Sequence, residues 1–454
     1  MPERAPSPVV DERSAALLTD LYELTMLQAY RSEGMAGRAV FSLFVRRLPP
    51  NRNFLLACGL DDALHYLETL RFSGDALRFL RGRPEFRPEF VDWLEGFRFT
   101  GDVYAVPEGT PVFAGEPILE VEAPLPEGQL AETFVMNQVH LQTVLASKGA
   151  RVVEAARGRP VVDFGLRRTH GTDAGMKAAR AFHVAGAAAT SNVLAGRVYG
   201  IPIAGTMAHS YIQAHDDELE AFRAFVSLYP ETVLLVDTYD TLEGVRKVIS
   251  LARELGEAFR VRAIRIDSGD LAELAREARA LLDAAGLGRV RIFASGSLDE
   301  WEIERLLARG APIDAFGVGT RMGVSHDAPY LDMAYKLVEY GGRGRVKLSP
   351  GKRVLPGRKQ VHRLEEGGIA RGDVVTAADE SVPGARPLLR RAMEGGRRLE
   401  VGDLEEARKR ARDEIARLPD PVRGLAPAEP PYPVRVSERL ETEAREAARR
   451  LAGR

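Results

Sequence analysis

The sequence predicts an α/β protein: an irregular, TIM-like parallel barrel of about seven strands beside a second α/β domain built from N- and C-terminal segments. Three observations carry this. Between residues 131 and 334, short β-branched runs alternate with amphipathic helical stretches, the rhythm of a parallel sheet whose edges a barrel protects. Before it, GDVYAVPEGTPVFAGEPILEVEAP (101–124) alternates apolar and polar residues between Pro-Glu-Gly and Ala-Gly-Glu turns, the pattern of a small antiparallel unit. After it, GGRGRVKLSPGKRVLPGRKQVHRL leads through a strand-like patch to two charged helical patterns near 403–417 and 436–452. The division is a loose N-terminus over 1–12, a discontinuous domain over 13–130 plus 335–454, and a barrel over 131–334.

Element by element, LLTDLYELTMLQAY (17–30) has apolar residues at helical spacing and places Tyr22 on or beside a helix, and 51–70 reads as another helix-bearing stretch. The barrel runs are VVDF (161–164), AAAT (187–190), PIAGT (202–206), TVLLVD (232–237), VRAIRI (261–266), RVRIFA from Arg289, and DAFGVG (314–319). Helical patterns at Leu271–Ala285 and Asp299–Arg309 lie between them.

Composition narrows the function classes. With 45% hydrophobic and 28% charged residues, the 454-residue chain has core enough for two domains, and a formal charge of -2 points to neither nucleic acid nor an anionic membrane. Cys58 is the sole cysteine, which excludes disulfide scaffolds and Cys-based zinc sites and suits a reducing compartment. The start, MPERAPSPVVDERS, lacks the order of a secretory signal, and no apolar run approaches membrane-spanning length. A cytoplasmic protein is expected.

Chemistry in parallel barrels gathers where strands end. The residues there are Arg167, Arg168, Thr169 and His170; Ser191 and Asn192; Thr206, His209 and Ser210; Asp237 and Thr238; Asp267, Ser268 and Gly269; Ser295, Gly296 and Ser297; and Gly319, Thr320 and Arg321. Arginines, histidines, carboxylates and Gly-Ser/Thr turns on one rim describe a site for an anionic small molecule. In ASGSLDEWE, Ser297 stands ahead of Leu-Asp-Glu300 in capping-box order, and its glycines either cradle an anion or only make a tight turn. GVGT (317–320) offers a second cradle at the strand where barrels bind phosphate. In RIDSGDLAEL, Asp270 with Glu273 reads as a helix cap; Asp267 either binds a ribose hydroxyl or reaches Mg²⁺ through water. Arg265 ends a strand, so its fork either meets a substrate carboxylate or lies on the surface.

His209, in IPIAGTMAHSYIQAH, is open among general base, metal ligand, phosphoryl-accepting nucleophile and structural residue. No neighbouring acid or histidine completes a zinc set, and Asp216 to Glu218 read as first-turn acids of the next helix.

With those residues in place, the chain resembles the bacterial-type nicotinate phosphoribosyltransferases. The likeness rests on LLTDLYELTM, FGLRRTHGTDAG, TSNVLAG, GTMAHS, IRIDSGDL, FASGSLDE, GVGT and PGRKQVHR, eight short motifs in order. The resemblance implies synthesis of nicotinate mononucleotide and pyrophosphate from nicotinate and phosphoribosyl pyrophosphate, coupled to ATP hydrolysis, in NAD biosynthesis. It makes His209 the residue phosphorylated by ATP. Tyr22, Thr206 and Arg265 match nicotinate-binding positions, with Arg168 beside them, and Tyr22 serves the neighbouring subunit of a homodimer with shared sites. Arg167 and Arg168 sit where pyrophosphate charge needs balancing; Asp267, Ser268, Gly296, Ser297, Gly317, Gly319 and Thr320 fall to phosphoribosyl pyrophosphate. Mg²⁺ travels with pyrophosphate or ATP, and no protein metal centre is expected. The related nicotinamide enzymes carry an aspartate where Ser191 stands here, so Ser191 favours a substrate carboxylate.

Overall fold

The protein is represented by a computed structural model that describes residues 10–349 and 354–452; most of the N-terminal stretch expected to be loose thus lies outside the described residues. Contacts divide the chain into two compact units, Met1–Thr143 with Tyr330–Val422 and Ala426–Arg454, and Val144–Pro329 with Arg423–Leu425. The cuts expected at 130/131 and 334/335 differ from these, which fall at Thr143/Val144 and Pro329/Tyr330.

The second unit is built on six parallel strands, β1 (Val161–Asp163), β2 (Ala189–Thr190), β3 (Val233–Leu235), β4 (Ala263–Ile266), β5 (Arg291–Ala294) and β6 (Ala315–Val318), in the order β2-β1-β6-β5-β4-β3. This is the parallel α/β barrel sheet that the alternating runs predict, with one correction. The expected third strand, PIAGT, is reduced to a single bridge between Thr190 and Ile203. Pro202 has no N–H to donate and Gly205 ends the extended run, so no ladder propagates. Val162, Ala189, Ala263 and Phe293 form an apolar cluster inside the sheet.

Helices Thr241–Leu255, Leu271–Ala284 and Glu300–Ala308 follow β3, β4 and β5. Each opens on an aspartate: Asp240 accepts from the Glu243 N–H, Asp270 from Ala272 and Glu273, Asp299 from Glu302. Such caps contribute about 1 kcal/mol apiece. The Asp270 cap is as expected; the capping role expected of Ser297 passes to Asp299. Gly296 and Ser297 both take positive φ, +95° and +51°, so the chain is still turning at Ser297 and only Asp299 reaches cap geometry.

The first unit holds a seven-stranded antiparallel sheet in the order Arg343–Gly344, Met333–Tyr340, Arg38–Val45, Pro117–Pro124, Asp102–Ala105, Arg390–Glu394, Arg397–Arg398. Strand Arg38–Val45 is buried along nearly all its length, and alternate residues serve opposite faces. Phe41 stacks on Tyr335, centroids 5.1 Å apart, on one face; Val40 and Phe44 pack with Ala334, Val338 and Val354 on the other. A second sheet joins Arg386–Pro387, Lys359–Glu366, Ile369–Ala377 and Val434–Val436. The antiparallel unit read in 101–124 and the two charged C-terminal helices (Leu404–Ala416 and Glu438–Ala452) are present. Helix Leu21–Ser32 carries Tyr22 in its first turn, 46% exposed.

Candidate active site

In the second unit the rim expected to carry chemistry is a connected polar network centred on Arg265. Its position near the end of β4 brings it beside the ends of β3 and β5, because the three strands run parallel and in register. Arg265 Nη1 donates to Thr206 Oγ1 (2.8 Å) and to the Met207 carbonyl (3.2 Å), Nε to Ser295 Oγ (2.8 Å), and Nη2 to Asp267 Oδ1 (2.7 Å). Ser295 Oγ in turn donates to the same Asp267 oxygen. Burial opposes the charged form of Asp267, but the hydrogen bonds from Arg265 and Ser295 outweigh it and hold the carboxyl below its ordinary range. The side chain of Arg265 therefore faces the rim and lies among its polar side chains rather than on the outer surface.

The guanidinium lies 5.5 Å from the centroid of the Phe164 ring, which packs on Phe293 at 5.8 Å. Phe164 was not singled out in the sequence, although FGLRR contains it. It puts a planar apolar surface beside a cation, the pair of features an aromatic acid needs.

His209 begins the short helix His209–Gln213 and is half-buried, with Nδ1 3.1 Å from Thr238 Oγ1 beyond the end of β3. When Nδ1–H donates to Thr238, Nε2 carries the lone pair. Asp237, one residue earlier, accepts on Oδ2 from the Asp267 N–H (3.0 Å) and from Ser268 Oγ (2.6 Å). Its Oδ1 is buried and has no partner among the described residues. Ser268 is thus turned toward Asp237, and its hydroxyl proton is already committed.

On the other side of the rim, Arg167 and Arg168 occupy an exposed 3-10 turn, Leu166–Arg168, after β1. Arg168 Nη1 donates to Thr320 Oγ1 (3.1 Å), which starts the single turn Thr320–Gly323 after Gly319. The arginine turn is anchored from below by Asp163, a residue that sequence reasoning passed over. Only 2% exposed, Asp163 accepts from the Gly165 N–H (2.8 Å) and from Thr190 Oγ1 (2.7 Å), while its carbonyl accepts from the Ser191 N–H (2.8 Å). Burial pushes its carboxyl up against those two hydrogen bonds. A lone acid inside an apolar strand run was the available signal.

Two glycines of the expected phosphate cradles differ in kind. A Cβ on Gly296 would stand 1.8 Å from the Asp267 carbonyl oxygen, so the turn after β5 closes on the end of β4 only with glycine. Gly317 lies within β6, where a Cβ would meet the Phe164 ring at 2.6 Å; packing under Phe164 accounts for it. Tyr22 belongs to the first unit. Burial, then the adjacent Glu23, pushes its phenol up, so it stays protonated.

Among the described residues no group of three or more His, Cys, Asp or Glu side chains is placed to hold a metal ion, and no helix is long and apolar enough to cross a membrane. Cys58 is buried.

Comparison with known proteins adds to this geometry. Residues 17–140 match the family model described as nicotinate phosphoribosyltransferase N-terminal domain, and 145–336 match quinolinate phosphoribosyl transferase, C-terminal domain. A nicotinate phosphoribosyltransferase of Mycobacterium tuberculosis is 57% identical over 95% of this chain and 93% of its own length. One from Bacillus subtilis is 42% identical over 81% and 77%, and the human protein of that name 32% over 95% and 96%. The crystal structure of human nicotinic acid phosphoribosyltransferase superposes with a TM-score of 0.85 at 29% identity, covering 94% of this chain and 99% of that one.

Proposed function

The chain belongs to the nicotinate phosphoribosyltransferase family, and from that premise we propose how its rim residues share the work. The reaction is a step of NAD biosynthesis. It joins the nicotinate ring nitrogen to the anomeric carbon of phosphoribosyl pyrophosphate and releases pyrophosphate. Displacement at that carbon passes through an oxocarbenium-like state, so catalysis is mainly positioning and charge stabilisation.

The observation that carries the assignment is the Arg265 network. Its guanidinium, fixed by Thr206, Ser295 and Asp267 and lying against Phe164, receives the nicotinate carboxylate while the pyridine ring rests on Phe164. Asp267, held ionised, faces the ribose and offsets positive charge that develops at its anomeric carbon. Arg167 and Arg168, with Thr320 and the turns at Gly296 and Gly319, take the phosphate and pyrophosphate groups. His209 receives the ATP γ-phosphoryl group on Nε2, the nitrogen opposite its Thr238 contact. Mg²⁺ carried in with the diphosphate would offset its charge. Asp237 and Asp267 are the carboxylates that would hold it, Asp237 through its unpartnered Oδ1.

Tyr22, exposed on the first unit, completes the site of a second subunit in a homodimer, stacking on the pyridine ring. A single buried thiol suits a cytoplasmic setting.

The deciding experiment is product formation by purified protein with phosphoribosyl pyrophosphate, Mg²⁺ and nicotinate or nicotinamide, with and without ATP. Mononucleotide from nicotinate, accelerated by ATP, is expected. Equal turnover of nicotinamide would remove the discriminating role of Ser191, and indifference to ATP would remove His209 from coupling.

A further inference from the structure

The two sheets of the first unit face one another across a space that their side chains do not fill. Ser42 and Phe44 of strand Arg38–Val45 and Val338 of Met333–Tyr340 form one wall; Lys359, Val375 and Val436 of the smaller sheet form the other. The cavity between them measures about 310 Å³, the size at which small-molecule sites begin. Facing sheets normally interdigitate at core density, so a cleft of this size among valines leaves apolar surface uncovered.

Its polar groups are also unfinished. Ser42 is 0% exposed, and its hydroxyl has no partner among the described residues; the same holds for Nε of Arg46 on the same rim. At the mouth Gly115 looks onto open space, with nothing within 4 Å of where a Cβ would be. The charges around the cavity leave one positive charge over. Lys359 is paired with Glu120 at 2.9 Å, but Arg46 and Arg47 share the single carboxylate of Asp332, at 2.9 and 3.4 Å.

We infer that this inter-sheet cavity binds a small monoanion with an apolar body, a carboxylate whose acyl or aryl part fills the valine-lined space while its charged end meets Arg46 and Arg47. Nothing in the inference depends on how the barrel residues divide the reaction.

The test uses the full-length protein and two probes, anilinonaphthalene sulfonate as a fluorescent reporter and decanoate as its competitor. One equivalent of saturable, decanoate-displaced reporter is expected, with decanol competing at least tenfold more weakly because it lacks the charge. Arg47→Glu, at an exposed position that leaves the fold intact, is expected to weaken decanoate at least tenfold with turnover of nicotinate unchanged. Ser42→Leu should do the same by filling the cavity. The inference is overturned if binding is not saturable, if decanol competes equally, if Arg47→Glu has no effect, or if nicotinate displaces the reporter and so places it in the barrel.

Discussion

The guanidinium of Arg265 lies 2.7 Å from the carboxylate of Asp267, two residues further along the chain at the same strand end. The cation that is to meet a substrate carboxylate is therefore already partly neutralised. On the assignment proposed above, Asp267 sets how strongly Arg265 attracts nicotinate and at the same time presents negative charge toward the ribose. Asp267→Asn should reduce kcat by about 100-fold through the lost charge, with no rise in the KM for nicotinate, since the freed guanidinium attracts the carboxylate more strongly. Steady-state kinetics separates the two parameters; an unchanged kcat with a tenfold higher KM would remove Asp267 from the reacting centre.

His209 and Thr238 make a second separable pair, 3.1 Å apart. His209→Ala should abolish ATP hydrolysis and acid-labile phosphorylation of the protein while leaving a slower, ATP-independent transfer. Thr238→Val should lower the phosphorylation rate about tenfold without touching ATP-independent turnover, because it loosens the imidazole by one hydrogen bond of about 1 kcal/mol. Loss of fold in His209→Ala, seen by circular dichroism, would make the residue structural.

Asp163 acts through the turn it holds. Asp163→Ala should raise the KM for phosphoribosyl pyrophosphate about tenfold and that for nicotinate much less, because the freed turn carries Arg167 and Arg168. Asp163→Asn, which keeps an acceptor for the Gly165 N–H, should restore most of the loss. An equal rise in both KM values, unrescued by asparagine, would show general damage instead.

Glu23 gives the first unit a pH dependence. Its fully buried side chain accepts from Gln129 Nε2 (2.7 Å), and the same amide nitrogen lies 3.1 Å from Glu132. Burial, reinforced by Glu132, raises its carboxyl from 4.5 to about 7 despite the hydrogen bond from Gln129. A carboxyl raised in the folded state holds its proton there after the unfolded chain has released it, so stability falls as pH climbs from 4.5 to about 7 and then levels. Glu23→Gln should remove that fall, gaining on the order of 1–2 kcal/mol at pH 8 and nothing at pH 4. Melting curves of both proteins across this range check it; parallel profiles would contradict it.

Much of this was legible in the sequence for physical reasons. Runs such as VRAIRI and RVRIFA are β-branched and flanked by helical patterns, so their neighbourhood in a parallel sheet follows from local chemistry. That placement alone brought Arg265, Thr206 and Asp267 onto one rim. The third run failed because Pro202 lacks a donor and Gly205 ends the extended run before a ladder can form, something that apolar content conceals. Ser297 and Asp299 both precede a glutamate by three residues, and only the left-handed turn at Gly296–Ser297 decides between them. Asp163 stayed hidden because its meaning depends on Thr190, 27 residues away in sequence, and the Phe164 ring because its contact with Arg265 is longer-range still.

The place where the ladder fails is also where the histidine segment hangs. Between β2 and His209 the sheet holds this stretch by two backbone bonds, Thr190 N–H to the Pro202 carbonyl and Ala204 N–H to the Thr190 carbonyl, each 3.0 Å. Releasing them costs about 1 kcal/mol apiece, far less than opening the barrel. Arg265 adds bonds to Thr206 Oγ1 and the Met207 carbonyl, neither of which protects an N–H, so the amides ahead of His209 are expected among the fastest in the barrel to exchange with deuterated water.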